Sequence, residues 1–194
     1  MTPLDLFNRS ISGEWKTAGT DTQYRIEVIP DVAGKKTQYV FFQPTGSQDD
    51  WKKNFDIWPI HGVHGGYWKR FTEARAQVLA EIDKGMKTVF AGYSMGAAIA
   101  LLFYLSTDVP RRAILFACPR VLWLDTRGHE RDKSLVRVSV RGDPVTRLPF
   151  AVLGYRHIGI EAKIGRKVFG YWPKYHQAAA YVEALAVLSD IHQV

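Results

Sequence analysis

Thr88-Val89-Phe90-Ala91-Gly92-Tyr93-Ser94-Met95-Gly96-Ala97-Ala98-Ile99-Ala100-Leu101-Leu102 is the stretch that decides how this chain reads. An apolar run leads into a G-x-S-x-G pentapeptide, and an Ala/Leu run follows it. The order is strand, tight turn, helix, with a serine at the apex. That context separates a nucleophile elbow from a chance pentapeptide. Such a turn strains the serine backbone and lifts Oγ out at the carboxyl end of the strand. Gly92 and Gly96 remove Cβ atoms where strand and helix must pass. Small residues at 97, 98 and 100 allow close packing behind the serine. The helix aims its N-terminal N–H groups at the same spot.

Outward from this stretch, strands and helices alternate. Residues 24–29 and 37–42 read as strands, and Pro44-Thr45-Gly46-Ser47 breaks the chain. Over residues 71–84, Phe71, Ala74, Val78, Leu79 and Ile82 share one helical face, with Gly85 as a stop. Residues 87–91 form the elbow strand and 95–106 its helix. Residues 112–117 and 135–140 read as further strands, and residues 176–191 as a closing helix. The alternation predicts an α/β fold with a mainly parallel central sheet and helices on both faces. With 194 residues and no repeat or linker, one domain over 1–194 is expected.

Composition narrows the class. The chain is 46% hydrophobic, against disorder, and no run approaches the ~18 apolar residues of a membrane span. Met1-Thr2-Pro3-Leu4-Asp5-Leu6 lacks the basic and apolar regions of a secretory leader, so a cytoplasmic location is expected. The lone Cys118 permits neither an internal disulfide nor a cysteine metal cluster. The net charge of +7 is uneven: residues 1–110 hold 12 basic and 12 acidic side chains, and residues 111–174 hold 14 and 5. That excess suits an anionic surface such as lipid headgroups, or is simply a solvated face. The cations are scattered among apolar residues, not gathered into a basic run bearing aromatics, so nucleic acid is not expected as a partner.

A serine hydroxyl needs a base, a group to hold the base, and donors for the oxyanion. After an elbow the partners follow in the order serine, acid, histidine. Asp143 follows the strand 135–140 directly, at the sheet edge where ligands bind in open parallel sheets. His157 and His176 lie downstream. His129 comes before Asp143, out of order, and His192 is near the terminus.

These residues and several others resemble the class 3 lipase family, the fungal triacylglycerol-lipase type of α/β hydrolase. Val40-Phe41-Phe42-Gln43-Pro44-Thr45, with Asp50-Trp51 beyond, resembles the family's Phe-Arg-Gly-Thr/Ser strand end and Asp-Trp. Val63-His64-Gly65-Gly66-Tyr67 is similar to Val-His-x-Gly-Phe, and Pro119-Arg120-Val121 to Pro-Arg-Val. Asp143-Pro144-Val145-Thr146-Arg147-Leu148-Pro149 is similar to Asp-x-Val-Pro-x-Leu-Pro. Gly154-Tyr155-x-His157-x-Gly159-x-Glu161 is similar to Gly-Phe/Tyr-x-His-x-Gly-x-Glu. The matches run in family order over roughly residues 37–181.

The resemblance implies an α/β-hydrolase fold and ester hydrolysis, with Ser94 as nucleophile, Asp143 as acid, His176 as base, and His157 as a packing residue. It implies an oxyanion hole from the backbone N–H groups of Met95 and Thr45, with Gln43 and Pro44 standing where the family has Arg and Gly. His64-Gly65-Gly66 is a rival oxyanion loop. Tyr93 and Trp51 are expected against substrate. Trp51, Phe55, Ile57 and Trp58 would line a small lid or acyl site in residues 46–62, or be ordinary core. No cofactor or metal is called for, and the expected partner is a small-molecule or lipid ester. An inert α/β-hydrolase used as a binding module and an amide or thioester hydrolase are the rival readings.

Overall fold

The computed structural model describes residues 1–31, 33–44, 58–124, 132–166 and 173–191. Seven strands form the main sheet: β1 (Lys16–Ala18), β2 (Thr22–Pro30), β3 (Lys36–Phe42), β6 (Thr88–Tyr93), β7 (Arg111–Phe116), β9 (Leu135–Val140) and β11 (Ile160–Ile164), in the order β1-β2-β3-β6-β7-β9-β11. From β3 to β11 neighbours are parallel, and β1-β2-β3 is an antiparallel extension. A second sheet of two-residue strands takes the order β10-β8-β5-β4: β4 (Pro59–Ile60), β5 (Val63–His64), β8 (Leu122–Trp123) and β10 (Tyr155–Arg156).

The strands carry two cores by simple alternation. Val40, Phe42, Phe90, Ala113, Leu115 and Leu135 face α2 (Gly65–Glu81) and α3 (Met95–Ser106), meeting Phe71, Val78, Ile99 and Phe103. Phe41, Ala91, Tyr93, Phe116, Val138 and Val140 face the other way. They meet Leu6 and Phe7 of α1 (Pro3–Ile11) and Tyr181 and Leu185 of α4 (Ala178–Ile191). Each side chain of this size contributes about 1.5–3 kcal/mol when fully buried. Helix α3 is buried from Gly96 to Tyr104, lying between the sheet and α2, and so lacks a polar face.

β1, β11 and the strands of the small sheet were not expected from the sequence, and three helices differ from the expectation. Helix α2 starts at Gly65 rather than 71, because Tyr67 and Trp68 also pack on the core and extend its apolar face. It ends at Glu81, where Ile82 turns extended and stays buried, and Asp83 accepts the Gly85 N–H at 2.8 Å. Helix α1 was not expected, yet Thr2 and Asp5 form a reciprocal capping box around Pro3 in the first turn. The closing helix begins at Ala178, and His176 instead ends a separate 3₁₀ turn, Pro173–His176. Among the described residues no helix is long and apolar enough to cross a membrane.

Candidate active site

The elbow is set by close backbone contact. A Cβ on Gly92 would fall 2.4 Å from the Gly96 carbonyl carbon, and one on Gly96 would fall 2.2 Å from the Phe42 carbonyl oxygen. Only glycine at both positions lets β6 turn into α3 while α3 rests on the end of β3. Between them Ser94 is held at φ +57°, ψ −120°, a strained region for a residue with a side chain. Its N–H donates to the Phe116 carbonyl at 2.9 Å, tying the turn to β7.

Three expected residues meet here. Ser94 Oγ lies 2.9 Å from His176 Nε2. His176 Nδ1 lies 3.1 Å from both carboxylate oxygens of Asp143. With the proton on Nδ1, the ring donates to Asp143 and leaves Nε2 to accept the serine hydroxyl. Asp143 is 1% exposed and Ser94 5%. The Val145 N–H donates to Asp143 Oδ1 at 2.9 Å. Tyr181 donates its hydroxyl to Oδ2 at 2.6 Å and accepts the Val140 N–H at 3.2 Å. Burial and the charge of Asp143 push the Tyr181 phenol well above its ordinary range, so it remains a donor.

Tyr93 was expected against substrate. In the structure it is buried, its ring stacks on the His176 ring at 5.3 Å, and its hydroxyl donates to the His176 carbonyl. It supports the imidazole rather than lining a cleft. Phe7 of the unexpected α1 packs on both Tyr93 and Tyr181, at 5.4 and 5.5 Å. The contribution of α1 to this neighbourhood was not read from the sequence, although its capping box was visible there.

Met95 opens α3 directly after Ser94. Gln43 and Pro44 end beside the first turn of α3, since the Gln43 carbonyl would lie 2.9 Å from a Cβ on Gly96. Thr45, Trp51, Phe55, Ile57, His129 and His192 lie outside the described residues. Trp58 is highly exposed. In the rival oxyanion loop, the Gly65 N–H donates to the Trp58 carbonyl and is already engaged. His157 is apart from this group: its Nε2 is 2.7 Å from the Thr146 carbonyl. Burial first, then Arg137, lower its pKa to about 3 and keep the ring neutral. Among the described residues no group of three or more His, Cys, Asp or Glu is arranged to hold a metal ion.

A family model described as lipase (class 3) matches residues 35–153. The chain is 36% identical over 111 residues to phospholipase A1-IIdelta of Arabidopsis thaliana, covering 48% of this chain and 27% of that protein. The native Rhizomucor miehei lipase propeptide complex superposes with a TM-score of 0.58 at 24% identity, over 79% of this chain and 56% of that one. The lipase of Rhizopus microsporus var. chinensis does so with a TM-score of 0.57 at 22% identity, over 78% and 61%. This chain thus spans about a quarter of the plant protein and less than two thirds of these fungal lipases. At such identities the structural likeness shows the fold, that of the α/β hydrolases. By the match of its family model over most of its length, the chain belongs to the class 3 lipase family.

Proposed function

We propose that this chain hydrolyses carboxylic esters through an acyl-enzyme on Ser94. The observation that carries the reading is the relay from Ser94 Oγ to His176 Nε2, and from His176 Nδ1 to Asp143. Ser94 Oγ attacks the ester carbonyl as its proton passes to Nε2. The carbonyl oxygen becomes an oxyanion, received by the N–H groups of Met95 and Thr45. On collapse the C–O bond breaks, and the alcohol leaves with the proton from Nε2. Water then repeats the sequence, releasing a carboxylic acid and restoring the serine. Asp143 orients the imidazole and stabilises its charged form. The cycle is written with these side chains, the two backbone N–H groups and water.

Lipid esters with apolar acyl chains are the substrate class. Membership of a lipase family supports this, as does the resemblance to a protein named a phospholipase A1. The basic excess of residues 111–174 favours substrate presented at an anionic lipid surface. The test is a panel of p-nitrophenyl esters of increasing acyl length, with amide and thioester analogues, on wild type and Ser94→Ala. Ester turnover that falls by about 10³-fold or more in Ser94→Ala supports the reading. Equal turnover by the two proteins would end it, and preference for the amide or thioester would redirect it.

A further inference from the structure

Exposed apolar side chains gather at one place. Phe150, Val152 and Leu153 share one short segment and are 56%, 90% and 49% exposed. Leu124, 59% exposed, is beside them: its N–H donates to the Gly154 carbonyl at 2.9 Å, and the Trp123 indole N–H donates to the Leu153 carbonyl at 2.9 Å. Leu124 also has φ +58°, a left-handed backbone that glycine or asparagine adopts at less cost. This backbone leaves the leucine more than half exposed, with Cδ2 lying over Gly154, and outliers of this kind point to use.

The surroundings are cationic. Arg156 Nη1 donates to the Ala151 carbonyl at 2.6 Å, and Arg120 Nη1 donates to the carbonyls of Arg147 and Pro149. Arg137, Arg147 and Arg156 each lie within electrostatic reach of Arg120. Glu161, an acid near Arg120, is already engaged by Ser139 and Lys163. The patch is built from chain that leaves the serine's end of the sheet. Leu124 follows β8, reached from Phe116, the last residue of β7 and the acceptor of the Ser94 N–H, and the 150–153 segment follows β9 by way of Asp143. Arg120 joins the two paths by donating its backbone N–H to the Leu148 carbonyl at 2.7 Å.

We propose that Leu124, Phe150, Val152 and Leu153 form a docking surface that seats this chain on an anionic lipid bilayer. The apolar side chains enter the boundary of the acyl region, and Arg147 and Arg156 face headgroup phosphates. A second copy of the chain is a poor occupant, since a two-fold contact would bring the arginine clusters together. The proposal rests on the lipid-ester reading and names where lipid is met.

The test is sedimentation with phosphatidylcholine vesicles, with and without phosphatidylglycerol, in the Ser94→Ala background so that lipid is not consumed. Binding should be stronger to the anionic vesicles and weaken with salt. The double variant Val152→Glu/Leu153→Glu should lose about tenfold or more in vesicle affinity. With Ser94 intact, that variant should hydrolyse a soluble short-chain ester within about twofold of wild type, which also shows that it folds. Arg147→Gln should lower binding to anionic vesicles and spare binding to neutral ones. Undiminished vesicle binding by the double variant overturns the proposal. So does a dimer in analytical ultracentrifugation that the double variant abolishes. Loss of vesicle binding in a variant whose circular dichroism and thermal unfolding match wild type supports the surface even if no ester is turned over, so the two readings fail separately.

Discussion

Tyr181 makes two hydrogen bonds that tie the acid to its own strand. Its hydroxyl donates to Asp143 and accepts from the Val140 N–H, at a site from which water is excluded. Removing it in Tyr181→Phe leaves a buried carboxylate oxygen and a buried N–H short of partners. A stability loss of about 1.5–3 kcal/mol is expected in urea denaturation. kcat should fall while KM stays near wild type, because Asp143 orients the base and does not bind the ester. An unchanged kcat would mean that Val145 and His176 suffice to hold the carboxylate. His157 has a different signature. Its pKa is about 3 in the fold, against about 6.5 in an unfolded chain. Between those limits the unfolded state binds the extra proton. The stability from the neutral ring is therefore complete above about pH 6.5 and is lost as pH falls toward 3, with a slope approaching 1.4 kcal/mol per pH unit. His157→Gln should be less stable than wild type at pH 8 and less sensitive to acid from pH 6.5 to 4. Parallel stability curves for the two proteins would contradict this.

At the scale of elements, the elbow is a contact between backbones. Gly96→Ala would drive a Cβ into the Phe42 carbonyl oxygen, so α3 must move away from β3. A loss of about 1–3 kcal/mol is expected from thermal unfolding, with ester turnover falling because Ser94 and the end of β3 separate. An alanine variant as stable and active as wild type would show that the contact relaxes freely. Helix α3 and strand β6 were legible as apolar runs bounded by Gly, Ser or charge, and β9 as an alternating stretch, Leu135-Val136-Arg137-Val138-Ser139-Val140. Helix α2 was legible in its middle only: Gly65-Gly66 reads as a turn, and the packing of Tyr67 and Trp68 on the core is tertiary information. The two-residue strands of the small sheet are too short to show a period. His176 was legible as a histidine in the expected order. Its place on a 3₁₀ turn was not, because Tyr93 fixes that turn from 83 residues away.

Over the whole molecule, the parallel sheet brings distant residues to one edge. Ser94 follows β6, Asp143 follows β9, and His176 precedes α4, with serine and histidine 82 positions apart. Order along the chain and family resemblance could nominate these residues. Their convergence to 2.9 and 3.1 Å is a product of strand order, which no local pattern encodes. The chain that leaves this edge after β7 and β9 goes on to form the arginine-rimmed apolar patch. The most direct test of the central claim is labelling with a fluorophosphonate, followed by intact-mass and peptide analysis of wild type, Ser94→Ala and His176→Ala. The relay predicts a single adduct on Ser94 of the wild type, none on Ser94→Ala, and labelling slowed by orders of magnitude in folded His176→Ala. Absence of an adduct from folded wild type, or an adduct that forms as fast without His176, would contradict it.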